Sequence, residues 1–219
     1  MLEEFTNKTA LIVGGTTGIG EAVVRQFFEH GCNVVFAGIE DDLGVALQRS
    51  LQNNNGARTL FVRTDVRIES QVENLIQVAE EHFGRVHFAL NNAGYEGPFG
   101  PIQDANEADF DRIIGTNLKG VWLGMKHEIK HMLRHGGGSI VNTSSSAGVV
   151  SIPQIGIYSA SKHGIIGLSK AAALEQARAG IRINVIAPGP VRTGLLSRMV
   201  EGKIGLDVIA ESVPMGRIS

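Results

Sequence analysis

The chain has 219 residues, with 20 Lys+Arg against 22 Asp+Glu, 43% hydrophobic residues and one cysteine, Cys32. That length allows one large domain or two small ones, and the apolar content excludes a disordered chain. The near-balance of charge leaves no footprint for nucleic acid or an anionic membrane, and a single cysteine excludes an intramolecular disulfide or a cysteine-rich zinc site.

The first residues, MLEEFTNKTALIV, are acidic and lack the basic segment of a secretory signal. No stretch reaches about 18 uninterrupted apolar residues, so a soluble, cytoplasmic protein is expected. Short β-branched runs then alternate with longer amphipathic ones. Thr9–Val13, Asn33–Ala37, Thr59–Val62, Val86–Leu90, Ser139–Thr143 and Ile181–Ile186 read as strands buried on both faces. The clearest helix carries Val72, Leu75, Ile76, Ala79 and Phe83 at helical spacing, with Ser70 as its cap and Gly84 as its stop. This alternation predicts a single-domain α/β fold, a doubly wound parallel sheet with helices on both faces and a ligand cleft at the strands' carboxyl ends. No linker or internal repeat divides it.

The chain holds 28 glycines, well above the usual share, without a collagen period. Several cluster after the first strand, in Gly14-Gly-Thr-Thr-Gly18-Ile-Gly20, just before a helical pattern. A glycine turn between strand and helix lets the backbone approach a pyrophosphate, whose charge then sits on the helix N-terminus. A tight structural turn would use the same residues, but the flanking strand and helix favour the phosphate reading. The spacing is G-x-x-x-G-x-G rather than G-x-G-x-x-G.

Further motifs follow in order: Asn91-Asn-Ala-Gly94, Asn117 within Thr-Asn-Leu-Lys-Gly, Ser145, Tyr158-Ser-Ala-Ser-Lys162, and Pro188-Gly189 after the sixth strand. Together they closely resemble the short-chain dehydrogenase/reductase family, from about Lys8 to the last residue. The resemblance implies a Rossmann-type fold in which Gly14, Thr17, Gly18, Ile19 and Gly20 hold the cofactor phosphates. It further implies that Asp65 and Val66 contact adenine, that Asn91, Ala93 and Gly94 line the adenosine ribose side, and that Pro188, Gly189 and Thr193 also bind the cofactor. Val13 departs from the family, which usually has threonine there.

The choice of nicotinamide cofactor rests on the end of the second strand, Ala37-Gly38-Ile39-Glu40. Gly38 replaces the Asp of NAD-preferring relatives, and Ile39 the Arg of many NADP-preferring ones. Glu40, Asp41 and Asp42 would repel a 2′-phosphate, and Glu40 can accept from a ribose hydroxyl. The same acids also suit a solvated helix start. NAD is favoured and NADP stays open.

Tyr158 and Lys162 stand at i,i+4 and share one helix face. A phenol of ordinary pKa near 10 is a poor base at neutral pH, so a neighbouring ammonium and the positive nicotinamide ring are expected to bring it down. By resemblance, Tyr158 exchanges the proton of an alcohol or carbonyl, Lys162 binds the nicotinamide ribose, Ser145 orients the substrate oxygen, and Asn117 holds a water linking Lys162 to solvent. Tyr95, Glu96, Ile152, Gln154, Ile155 and the segment after Pro188 border the expected substrate pocket.

His127-Glu-Ile-Lys-His131 matches the zinc-protease pattern H-E-x-x-H. Trp122, Met125, Ile129, Met132 and Leu133 read as the buried stripe of that helix, with the histidines turned elsewhere. No metal is expected. The sequence reading is therefore an NAD(P)-dependent oxidoreductase acting on a secondary alcohol or ketone. Its alternative is a non-catalytic cofactor-binding sensor or scaffold, disfavoured by the complete Ser145, Tyr158 and Lys162 set. A sugar-nucleotide epimerase would need a further substrate domain. The resemblance also implies a homodimer or homotetramer built through Asn117–Leu133 and Tyr158–Ala177. It implies, too, that relatives continue past Ser219 with another helix and strand.

Overall fold

The computed structural model describes residues 5–51, 56–200 and 205–219, except the side chains of residues 199 and 212. Six strands, β1 (Thr9–Val13), β2 (Asn33–Gly38), β3 (Thr59–Arg63), β4 (Phe88–Asn91), β5 (Gly138–Thr143) and β6 (Ile181–Ile186), form one parallel sheet. Their order is β3-β2-β1-β4-β5-β6. The helices are α1 (Gly18–Glu29), α2 (Asp41–Ser50), α3 (Glu69–Phe83), α4 (Glu107–Ile113), α5 (Gly120–Arg134), α6 (Gly156–Gln176), α7 (Gly194–Val200) and α8 (Leu206–Ser212). None of the described helices is long and apolar enough to cross a membrane.

The period-two alternation of strand side chains divides the core. Ala10 and Ile12 of β1 join Val34 and Phe36 of β2 against Val24 and Phe28 of α1. On the other face, Leu11, Val13, Val35 and Ala37 meet Leu75 and Ile76 of α3, Val121 and Met125 of α5, and Ile165 of α6. Every residue of β1 is buried, which explains its continuous apolar run. Burial of side chains this size contributes about 1.5–3 kcal/mol each. The chain leaves β1 for β2 and β3 on one side, then returns through α3 to β4 on the other. The connections therefore diverge at the carboxyl ends of β1 and β4 and open a crevice there.

Two local expectations change. Ser70 lies inside α3, whose capping position is Ile68 without a side-chain cap, although Gly84 does end the helix at φ +70°. On α5, Trp122 and Leu133 are exposed, whereas His127, Glu128 and His131 are buried. Polar partners account for this: His131 Nε2 accepts from Val86 N at 2.9 Å, and Glu128 Oε2 accepts from Asn91 Nδ2 at 2.9 Å.

Glu128 is a titratable group in the core. Burial pushes its carboxyl from 4.5 up to about 7, opposed by the Asn91 hydrogen bond. Its Oε1 and the Asn91 Oδ1 are buried acceptors without a partner. A protonated carboxyl can donate in this cluster; a carboxylate cannot. Between the unfolded and folded values the native state holds the extra proton, so stability is full below pH 4.5 and falls as pH rises through about 7. The loss amounts to about 3 kcal/mol. Denaturant titrations at pH 5 and pH 8 should show this loss in the wild type and not in Glu128→Gln; equal losses in both proteins would refute it.

Candidate active site

The turn after β1 is drawn tight onto its neighbours. Gly14 and Gly15 both donate their backbone N–H to Ala37 O, at 2.8 and 2.9 Å. Gly14 has φ +77°, and a Cβ there would stand 2.5 Å from Ala93 N. Gly18 opens α1 at φ +59°, and Thr17 before it makes no side-chain cap. The first-turn amides of α1 are thus left to face the crevice, the arrangement that receives a phosphate. Gly20 instead lies beneath the turn, where a Cβ would collide with Gly14 O.

The crevice has a volume of about 900 Å³. Gly14, Thr17, Gly18 and Ile19 line its phosphate end, with Glu40, Asp65 and Val66 at one side. Ala93, against Gly14, and Gly94, beside Lys162, form the middle; Ser145, Tyr158, Lys162, Pro188 and Gly189 also line it, and Thr193 lies against Gly18. Three predicted residues do not line it: Gly20, Asn91 and Asn117. Asn91 is turned away because its amide is bound to Glu128 and to Asn142 Oδ1 at 2.9 Å. Asn92, the next residue, takes the crevice position and donates to Gly14 O at 3.2 Å. Tyr95, Glu96, Ile152 and Ile155 also line it, whereas Gln154 does not.

Glu40 Oε2 accepts from Thr16 Oγ1 at 3.0 Å, which holds the carboxylate at the crevice. Asp41 is turned outward to Arg63 at 3.1 Å. Asp65 is gripped by Arg67, at 2.6 Å from Nη2 and 2.9 Å from Nε. This pairing holds the Asp65 carboxyl below its ordinary value.

Tyr158 and Lys162 lie in the first turns of α6 and are both buried. Lys162 Nζ donates to Thr143 O at 2.9 Å and stands 5.6 Å from the Tyr158 ring centroid. Burial pulls the Lys162 ammonium down to about 8. Tyr158 departs from expectation: burial raises its pKa, a Ser145 hydrogen bond opposes the rise, and the charge of Glu96 adds to it. Desolvation sets the direction, and the pull that opposes it comes from Ser145. Ser145 precedes a short 3-10 turn, where its Oγ accepts from Ala147 N at 3.1 Å.

Asn117 sits in a π-helical turn (Ile114–Lys119) and is fully buried. Its Oδ1 accepts from Tyr95 N at 2.7 Å, while Nδ2 donates to Tyr95 O and Ser161 Oγ, both at 3.0 Å. The side chain therefore ties the loop after β4 to α6. Thr143, Asn92 and Arg198 complete the site without having been assigned roles; the doubled asparagine alone hinted at Asn92.

The H-E-x-x-H histidines do not converge. His127 Nε2 lies 3.3 Å from Glu69, and His131 accepts a backbone N–H at Nε2. Glu80, His131 and His135 do lie close enough for a metal. However, an Nε2 that accepts from Val86 leaves the proton on Nδ1, which faces Glu80 at 3.2 Å. That tautomer offers no lone pair to a cation there.

A family model described as short chain dehydrogenase matches residues 8–203. A chain from Sphingobium indicum, 2,5-dichloro-2,5-cyclohexadiene-1,4-diol dehydrogenase, is 35% identical over 220 residues, 100% of this chain and 86% of its own. Levodione reductase of Leifsonia aquatica is 35% identical over 198 residues, 90% of this chain and 74% of its own. The structure of NAD+-bound xylitol dehydrogenase matches with a TM-score of 0.93 at 30% identity, over 99% of this chain and 88% of that one. ElxO with NADP bound gives 0.88 at 33%, over 97% and 86%. The chain belongs to the short-chain dehydrogenase family. Its class is that of a nicotinamide-dependent oxidoreductase acting on CH–OH groups.

The buried cation has a stability cost with a definite sign. Between about 8 and 10.5 the unfolded chain binds the extra proton, so stability rises with pH across that window. Near neutral pH the charge costs about 3 kcal/mol. Replacing Lys162 by Met should raise the thermal midpoint by several degrees at pH 7 while abolishing turnover. Calorimetry that showed an unchanged or lower midpoint would count against the cost.

Proposed function

We propose that Ser145, Tyr158 and Lys162 carry hydride exchange between a nicotinamide cofactor and a secondary alcohol or ketone. The observation that carries this reading is their convergence at one end of a crevice whose other end is the Gly14–Gly20 turn. The bound cofactor supplies the hydride chemistry. Ser145 orients the substrate oxygen through its hydroxyl. Tyr158, whose phenol form burial favours, donates its proton to the oxygen of a carbonyl under reduction; in oxidation its deprotonated form receives the alcohol proton. Lys162, fixed by Thr143 O, places a positive charge beside that exchange and presents its remaining donors to the cofactor ribose. Asn117 is a positioning residue that holds Tyr95 against α6.

The preferred cofactor in this reading is NAD. Glu40, held by Thr16, accepts from ribose hydroxyls and repels a 2′-phosphate. Asp65 and Val66 lie on the adenine side of the same crevice. A cytoplasmic setting fits the single, buried thiol of Cys32. Exposed Trp122 and Leu133 on α5 and Leu174 on α6 support a homodimer or homotetramer formed through those helices.

Two measurements test the reading. Tyr158→Phe should lower turnover by orders of magnitude while reduced cofactor still binds; near-normal turnover would remove Tyr158 from the chemistry. Initial rates should give a kcat/KM at least tenfold higher with NAD than with NADP, and equal values would defeat the assignment to Glu40.

A further inference from the structure

Glu96 is a carboxylate placed where an apolar substrate pocket has no ordinary use for one. It is 5% exposed yet lines the crevice, two residues beyond Gly94. Its placement is set by the backbone: Gly97 turns the chain at φ +72°, with Ile113 filling the space a Cβ would need. Arg198 of α7 meets it across the crevice, with Nε 2.7 Å from Oε1 and Nη2 3.3 Å from Oε2. The walls nearby are apolar, supplied by Ile152, Ile155, Val191 and Leu196. Glu96 and Tyr158 face the same volume, since the charge of the first raises the pKa of the second.

An ionised carboxylate offers about four acceptor positions and no donor. Arg198 uses one oxygen well and the other at a longer distance, so Oε2 keeps capacity towards the crevice. Arg198 is largely exposed, and an ion pair with a solvated partner gives little stability, so the buried carboxylate calls for another use. Building on the oxidoreductase reading, we propose that Glu96, held by Arg198, is a specificity-determining residue that accepts a hydrogen bond from a second hydroxyl of the substrate. The preferred substrate is then a diol or hydroxyketone with a largely hydrocarbon frame. The second hydroxyl is not consumed. At the reacting carbon, the C–H bond breaks with its electron pair passing to the oxidised nicotinamide, the O–H proton goes to the deprotonated Tyr158, and the product is the hydroxyketone. A monoalcohol leaves the remaining acceptor capacity of Oε2 unfilled. Sites built around such a bond discriminate strongly against analogues that lack it.

The test compares kcat/KM for cyclohexane-1,2-diol, cyclohexane-1,4-diol and cyclohexanol in the wild type, Glu96→Gln, Glu96→Asp and Tyr158→Phe. At least one diol should exceed cyclohexanol by tenfold or more in the wild type. Glu96→Gln should collapse that ratio at least tenfold, chiefly through KM, and Glu96→Asp should retain part of it. Tyr158→Phe should depress all substrates and leave the ratio intact. The ratio is internal to each protein, so a general loss of folding or activity cancels. An unchanged ratio in Glu96→Gln, or a wild type that treats cyclohexanol and both diols alike, overturns the hydroxyl recognition and leaves the oxidoreductase reading standing. No turnover of any probe by a wild type that binds reduced cofactor overturns both.

Discussion

The crevice exists because three backbone segments meet where no side chain fits. Ala37 O at the end of β2 receives two amide hydrogens from Gly14 and Gly15, and Ala93 after β4 lies within 2.5 Å of where a Gly14 Cβ would be. The turn is therefore held from both sides of the switch in strand order. With it pulled down onto the sheet, the N-terminus of α1 points across the carboxyl ends of β1 and β4. The far end of the crevice is tied in a similar way, with Ser146 N bonded to Pro188 O at 2.8 Å and Ser144 Oγ to Lys162 O at 2.8 Å. The Gly14–Gly20 turn and the Ser145, Tyr158 and Lys162 group thus sit on one framework of bonds to main-chain carbonyls.

Three buried ionisable groups meet the cost of leaving water differently. Lys162 keeps one carbonyl partner and a lowered pKa, close enough to neutrality for its charge to respond to what binds. Glu128 shifts towards its neutral form in a polar cluster with Asn91, Asn142 and Ser169. Glu96 recruits an opposite charge from α7, a helix far along the chain. The first two lie on α6 and α5, and the third closes the pocket between them and α7.

All six strands were legible from their short β-branched runs, although β3 and β6 are not buried on both faces; β1 and β6 match in full, and the others shift at an end by one or two residues, as with β4, which starts at Phe88 rather than Val86. Ser145, Tyr158 and Lys162 were legible as a set because their spacing is local or nearly so. The Asn91–Asn92 pair was not resolved, since consecutive strand residues face opposite ways and either asparagine satisfies the pattern. The buried face of α5 was misread for a related reason. His127, Glu128 and His131 are polar, and only distant partners such as Val86 and Asn91 make their burial tolerable. Asn117 was placed correctly near the site, but the π-helical turn that directs its amide at Tyr95 has no local signature. The Glu96–Arg198 pairing spans 102 positions in sequence and is invisible without the fold.

Helix α6 carries the catalytic pair at one end of a 21-residue span. From Tyr158 to Leu174 the axis runs about 24 Å. A pivot of one degree about the distal end would sweep the tyrosine sideways by about 0.4 Å, close to the roughly 0.5 Å tolerance of a working site. Angular rigidity is therefore a requirement on the whole helix, not only on its first two turns. Ser161 bonded to Asn117 and Ser169 bonded to Asn142 act as two guy-lines, one near the tyrosine and one two turns further on. The small polar residues inside this long helix are what keep its aim.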